Sequence, residues 1–167
     1  MKTKPTEAES FRDLLTNLNA CDQAKEWAVG KTWEQVYLTC ANGGWLLWLF
    51  QRTNPDDLQR VTLAKGHCAN TVRHLMKDER STAALDAAIA FGEGKITRYD
   101  LDMAALAAMA AARAARAATW AALAEWAAGA AGAAAWAVAW AVAEEENLRK
   151  TADICRQFLP IEIWKIN

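Results

Sequence analysis

Arg113, Arg116 and Trp120 are the residues of this chain best spaced to hold a ligand. Three and four positions apart, with Leu123 three further on, they share one stripe of a helix. Leu106 and Met109 continue that stripe toward the amino end. A guanidinium grips a phosphate or carboxylate through paired hydrogen bonds, and an indole one turn away offers a face on which a base can stack. Together they suit a small anionic ligand such as a signalling nucleotide. Arg73 and His74, with Lys77, form a second basic patch that would extend a phosphate site. Both groups also have a plainer reading. Arginines facing solvent keep an alanine helix soluble, and a short basic patch is ordinarily hydrated.

Other chemistries find less support. His67 and His74 lie seven apart, too far to ligate one ion without help, and the HExxH and paired-carboxylate patterns are missing. Cys21, Cys40, Cys68 and Cys155 are scattered singly, without the close pairs of a structural zinc site. They read as small buried hydrophobes rather than nucleophiles. Gly92-Glu93-Gly94-Lys95 is too short for a phosphate loop and has no strand before it, so it reads as a helix terminator. No catalytic set, metal or cofactor is expected. Trp45 and Trp48 read as core.

The charge balance narrows the partners. Nineteen basic residues against twenty acidic ones leave a net charge of −1, whereas general nucleic-acid binding normally needs a basic excess. Glu145 and Glu146 stand four positions before Arg149 and Lys150, the spacing of a solvated, ion-paired helix face. The stretch from Trp126 to Ala143 carries no charge and approaches the length of a membrane span. Alanine and glycine gain little from lipid, however, and its tryptophans are spread along it rather than gathered at its ends, so a buried helix is expected. The first residues lack the apolar core of a signal peptide, and unpaired cysteines suit a reducing cytoplasm.

The elements that must position these residues are helical. Met103 to Ala143 is dominated by alanine, which loses no side-chain entropy on entering a helix. One unbroken helix from Arg98 to Phe158 would run to about 90 Å at 1.5 Å per residue. A turn or kink is therefore expected at Ala128–Gly132, giving two long antiparallel helices; close packing of the glycines within one helix is the alternative. Upstream, short helices are expected over Glu7–Leu18, from a cap at Asp22 through Val29, over Trp33–Ala41 behind the Thr32/Gln35 capping box, and over Trp45–Phe50. Asn42-Gly43-Gly44 reads as the close of the third helix. Asn54 reads as the cap of a helix running to about Met76, with Pro55 first and Leu58, Val61, Cys68, Val72 and Leu75 as its core stripe. Asp78–Ser81 is a connector before a helix over Thr82–Phe91. Thr97 and Asp100 cap the alanine-rich helix. Ala152–Leu159 is amphipathic, and Pro160 stops it before an apolar tail. The fold class is all-α: one domain, a multi-helix bundle, with a short-helix part (1–96), a long alanine-rich helical hairpin (97–159) and the tail (160–167).

Several motifs in this order resemble the alanine-rich immunity protein families found beside bacterial toxins and, in related forms, among phage accessory proteins. They are Trp33 with Cys40, Gly43-Gly44-Trp45-Leu46-Leu47-Trp48-Leu49, the Cys68-Ala69 helix ending in Asp78-Glu79-Arg80, Phe91-Gly92-Glu93-Gly94, the alanine-rich helices, and Ala152-Asp153-Ile154-Cys155-Arg156 before a proline. The resemblance implies a protein that neutralises a harmful agent by binding it, without chemistry of its own. It brings no defined site residues.

The functional expectation is thus a non-catalytic, cytoplasmic binding protein that sequesters its target in immunity or phage counter-defence. The target is a small signalling nucleotide or, alternatively, a toxin or defence protein. Alanine-flat helix faces and abundant tryptophan suit a homo-oligomer seam. A small hydrolase and a purely structural oligomer are the other classes considered.

Overall fold

A computed structural model of the chain describes residues 6–76, 78–107, 109, 110 and 130–166, with residues 130–143 described by their backbone alone. The described chain is all-α. Its helices are α1 (Glu7–Asn17), α2 (Asp22–Trp27), α3 (Trp33–Thr39), α4 (Gly43–Thr53), α5 (Leu58–Asn70), α6 (Glu79–Gly92), α7 (98–107) and α8 (Ala130–Phe158), with 3-10 turns at Arg73–Leu75 and Ile161–Ile163. The turn or kink expected at Ala128–Gly132 falls partly outside the described residues; from Ala130 the backbone is helical through Gly132 to Phe158.

Local chemistry explains most boundaries. Thr6 with Glu9 and Thr32 with Gln35 form complete capping boxes, each satisfying amide groups that the first turn leaves free. Asp100 accepts hydrogen bonds from the backbone and hydroxyl of Thr97, at 2.9 and 2.7 Å, and so opens α7 as its sequence indicated. Gly30 and Gly94 take left-handed backbone angles, φ +73° and +74°, just beyond α2 and α6.

Other boundaries depart from the sequence reading. Asn42-Gly43-Gly44 opens α4 instead of closing α3, because the Asn42 side chain accepts from the Trp45 amide at 3.2 Å. α2 begins at Asp22 itself, behind Cys21. The α5 cap is Asp57, accepting from Arg60 N, and the helix ends at Asn70 rather than near Met76. Asp78 is the cap of α6, which therefore takes in the expected connector. Leu75, placed on a core stripe, is 64% exposed because the helix ends before it.

Glycine sets how closely the helices approach. A Cβ on Gly66 would meet Ile89, and one on Gly92 would meet the Leu63 backbone, so α5 and α6 interlock through each other's glycines. At Gly43, a Cβ would lie 2.5 Å from the Thr151 carbonyl carbon, which seats the start of α4 directly on α8. The described side chains of α8 pack on α4 and α5, and Thr71 at the end of α5 donates to Asn147 at 2.8 Å. Outward on α8, Glu145–Arg149 and Glu146–Lys150 form the expected i,i+4 ion pairs, at 2.6 and 2.7 Å.

The tail after Pro160 belongs to the core. Trp164 is buried, its ring 4.6 Å from that of Trp33 and edge-on to Phe50 at 4.9 Å. Its indole N–H donates to the Leu159 carbonyl at 2.9 Å. Asn54, which the sequence suggests as a helix cap, is instead the buried polar anchor of this tail. Its amide donates to the Ile163 carbonyl at 2.8 Å, and its oxygen accepts from Lys165 N at 3.3 Å.

Candidate functional site

Between α1, α2, α3 and α4 the packing opens into an apolar hollow of about 370 Å³. Interiors usually close to crystal-like density and leave few voids larger than a water. The cause of this one is in the sequence. Ala20, Ala24 and Ala28 lie four residues apart and give α2 and its approach a wall without bulk. Opposite stand Trp45, Leu46, Trp48 and Leu49 of α4, while Phe11 and Leu15 of α1, Val36 of α3 and Cys40 just after it close the floor. Trp27 and Trp45 meet across the hollow with ring centroids 6.0 Å apart, bracing it open. Lys31 lies 4.3 Å over the ring of Trp27 and donates to its carbonyl, which fixes that indole in place.

Trp48 is shared with a second, more open hollow lined by Gln51, Arg52 and Pro55. Arg52, one turn after Trp48, folds back along α4 with its guanidinium 5.8 Å from that ring. Lys65 of α5 reaches the same place and donates to Gln51 at 2.8 Å. Trp45 and Trp48, read as core from the sequence, are thus partly buried walls of a cavity.

The buried cysteines are structural. The sulfurs of Cys68 and Cys155 lie 4.0 Å apart at the contact of α5 with α8, and Cys155 also faces the Gly43 carbonyl at 3.5 Å. The sulfur of Cys68, and then burial, push the Cys155 thiol far above its ordinary range. Burial likewise raises the Cys40 thiol. The hydrogen bond with Cys155 lowers the Cys68 thiol instead, but its sulfur is buried against α8, and nucleophilic cysteine chemistry needs a thiolate that is also accessible. Cys21 corrects the expectation that all four are buried: it is exposed, at the rim of the apolar hollow. Among the described residues no group of three His, Cys, Asp or Glu side chains could hold a metal ion. Nor is any described helix long and apolar enough to cross a membrane.

Of the ligand residues anticipated from sequence, Arg113, Arg116 and Trp120 lie outside the described residues. Leu106 and Met109, the described end of the same stripe, are 60% and 53% exposed on α7 and its continuation. Arg73 and His74 sit on the 3-10 turn after α5. Arg73 holds Asp86 of α6 with a two-pronged pair at 2.5 and 2.8 Å, so its fork is occupied by an internal carboxylate. His74 is exposed beside it. His67, one helix turn inside α5, stacks flat on Phe158 at 4.2 Å.

The cavity was legible in sequence only as alanines at fourfold spacing facing a tryptophan-rich helix, and that signal is equally consistent with tight packing. Comparison with protein-family models, with curated proteins and with solved structures finds no match for this chain.

Proposed function

We propose that this protein is a non-catalytic binding protein that acts by holding a small molecule in the hollow between α1 and α4. One contrast carries the reading. Helix α4 packs on α8 with no room for a methyl group at Gly43, yet stands away from α2 by about 370 Å³ of apolar space. A fold that closes one face of a helix so tightly and leaves the other open has the form of a ligand site, and the volume falls in the range of small-molecule pockets, about 300–1,000 Å³. Binding would be driven by removing apolar surface of ligand and tryptophan walls from water. Such a protein lowers the free concentration of its ligand stoichiometrically, without turnover. That mode of action agrees with the resemblance to immunity and phage accessory families, and neutralisation by sequestration is the biological role we propose.

A second reading keeps the ligand a signalling nucleotide, or makes it a toxin or defence protein, at Arg113, Arg116 and Trp120. It is favoured by the exposure of Leu106 and Met109, whose spacing in the sequence continues the stripe of those residues. Native mass spectrometry of the protein purified from cells, followed by denaturation and extraction of what is released, separates the two. The first reading expects an apolar small molecule that is lost when Ala24→Phe fills the hollow. A nucleotide retained by that variant and lost in Arg113→Ala/Arg116→Ala would replace it. The same spectra report the oligomeric state, for which we propose a homo-oligomer.

A further inference from the structure

The geometry points to the class of ligand: a single-chain amphiphile carrying one negative charge, its apolar body in the hollow and its anionic head at Arg52 across the edge of Trp48. This rests on the reading of the hollow as a binding site and adds a statement about charge that the hollow alone does not make.

Three observations carry it. First, Trp48 is a wall of both the apolar hollow and the polar one beside it, so a ligand passing its edge leaves apolar surroundings for Arg52 and Gln51. Second, cations collect there without anions. Arg52 and Lys65 have no carboxylate within ion-pair distance among the described residues, a state they share with Arg12, Lys31 and Lys165, whereas Arg60, Arg73, Arg80, Arg98, Arg149 and Arg156 each hold one. Lys65 instead donates to Gln51, which lines the polar hollow. Third, the exposed Arg52 side chain lies with its guanidinium 5.8 Å from the ring of Trp48, the residue that both hollows share. A planar fork held beside an apolar pocket matches a carboxylate at the end of a hydrocarbon body. The hollow of about 370 Å³ corresponds to roughly a dozen groups the size of a water, at about 30 Å³ each. Methylenes are of similar size, so a body of roughly ten carbons fills it.

Decanoate and decan-1-ol, titrated calorimetrically into the whole protein at pH 8 and below micelle-forming concentration, test this. Decanoate is expected to bind about tenfold more tightly than decanol. Arg52→Gln, a substitution at an exposed position expected to leave the thermal melt unchanged, should abolish that difference while leaving decanol binding as it was. Ala24→Phe should weaken both ligands, and decanoate in place should protect Cys21 from alkylation. Equal binding of acid and alcohol, or an acid preference that survives Arg52→Gln, overturns the charge assignment while the hollow remains a site. Binding of both that is unaffected by Ala24→Phe in a folded variant places the ligands elsewhere and overturns the hollow itself. No binding of decanoate up to millimolar concentration, and none of decanol up to its solubility limit, overturns the amphiphile.

Discussion

Gly43→Ala tests the seat of α4 on α8, the contact against which the open face of α4 is defined. The added Cβ would lie 2.5 Å from both the carbonyl carbon and Oγ1 of Thr151 and 2.7 Å from the Ala152 nitrogen, where ordinary contact begins at 3.4 Å. Rotation of the Thr151 side chain relieves only one of these; the other two are backbone. The helices must therefore part by roughly 1 Å, which overpacking studies put at about 1–3 kcal/mol. Alanine in place of glycine returns at most about 1 kcal/mol in a helix interior and less at the first position, where Gly43 stands. The expected net loss is about 2 kcal/mol, or a fall in Tm of about 4–8 °C for a chain of this length. Gly44→Ala is the matched control. Its Cβ meets only the Asn42 side chain, at 3.1 Å, and the position is exposed, so a change within about 0.5 kcal/mol is expected. Thermal and urea unfolding of the two variants beside the parent decide the matter. If Gly43→Ala melts with the parent, or with Gly44→Ala, α4 does not rest on α8 as described and the contrast between its two faces disappears.

Arg156 donates to the carbonyls of Tyr37 and Cys40 at the end of α3, while the Tyr37 hydroxyl donates to the carbonyls of Arg156 and Leu159 at the end of α8. Each residue thus caps the other's helix. Urea unfolding of Arg156→Ala should show a loss of about 2–3 kcal/mol, and Arg156→Lys should recover only part of it, since one ammonium cannot reproduce the fork. Thiol titration of the native protein at pH 8 should give one fast group, Cys21, with Cys40, Cys68 and Cys155 reacting only on unfolding; a second fast group would refute the burial. The hydrogen bonds from the Arg80 side chain and backbone hold the Asp78 carboxyl down at about 2, against 3.8 ordinarily. The folded state therefore binds fewer protons than the unfolded one between these values. The contribution of Asp78 is complete above about pH 4 and is lost as the pH falls toward 2. Asp78→Asn should flatten that limb of the stability profile, and an unchanged acid limb would deny the cap. Asn54→Ala, leaving the Ile163 carbonyl and Lys165 amide unpartnered, should free the tail, read as accelerated amide exchange at Ile163–Lys165.

What the sequence determined by itself is the helical character of the chain and most of its punctuation. Alanine propensity, the Thr32/Gln35 and Thr97/Asp100 caps, Gly30, Gly94 and the Glu145–Arg149 pairing act within one or two turns. Their outcome is fixed before any helix meets another. Where two local signals competed, tertiary contact chose. Asn42-Gly43-Gly44 could end a helix or begin one; the Asn42 cap on the Trp45 amide begins one, and the close seat on Thr151 that only glycine permits holds it there. Asn54 resembled a cap, but the returning tail claimed its amide, a partner more than a hundred residues away. The apolar hollow belongs wholly to this second category. Ala20, Ala24 and Ala28 specify a wall without bulk, and such a wall can be closed by a neighbouring helix or left standing. Which occurs depends on where α4 is pinned from behind, by Gly43 against α8 and by Trp27 against Trp45 in front. Hydrophobic pattern encodes which surfaces leave water; the distance between those surfaces is set by the packing of everything else.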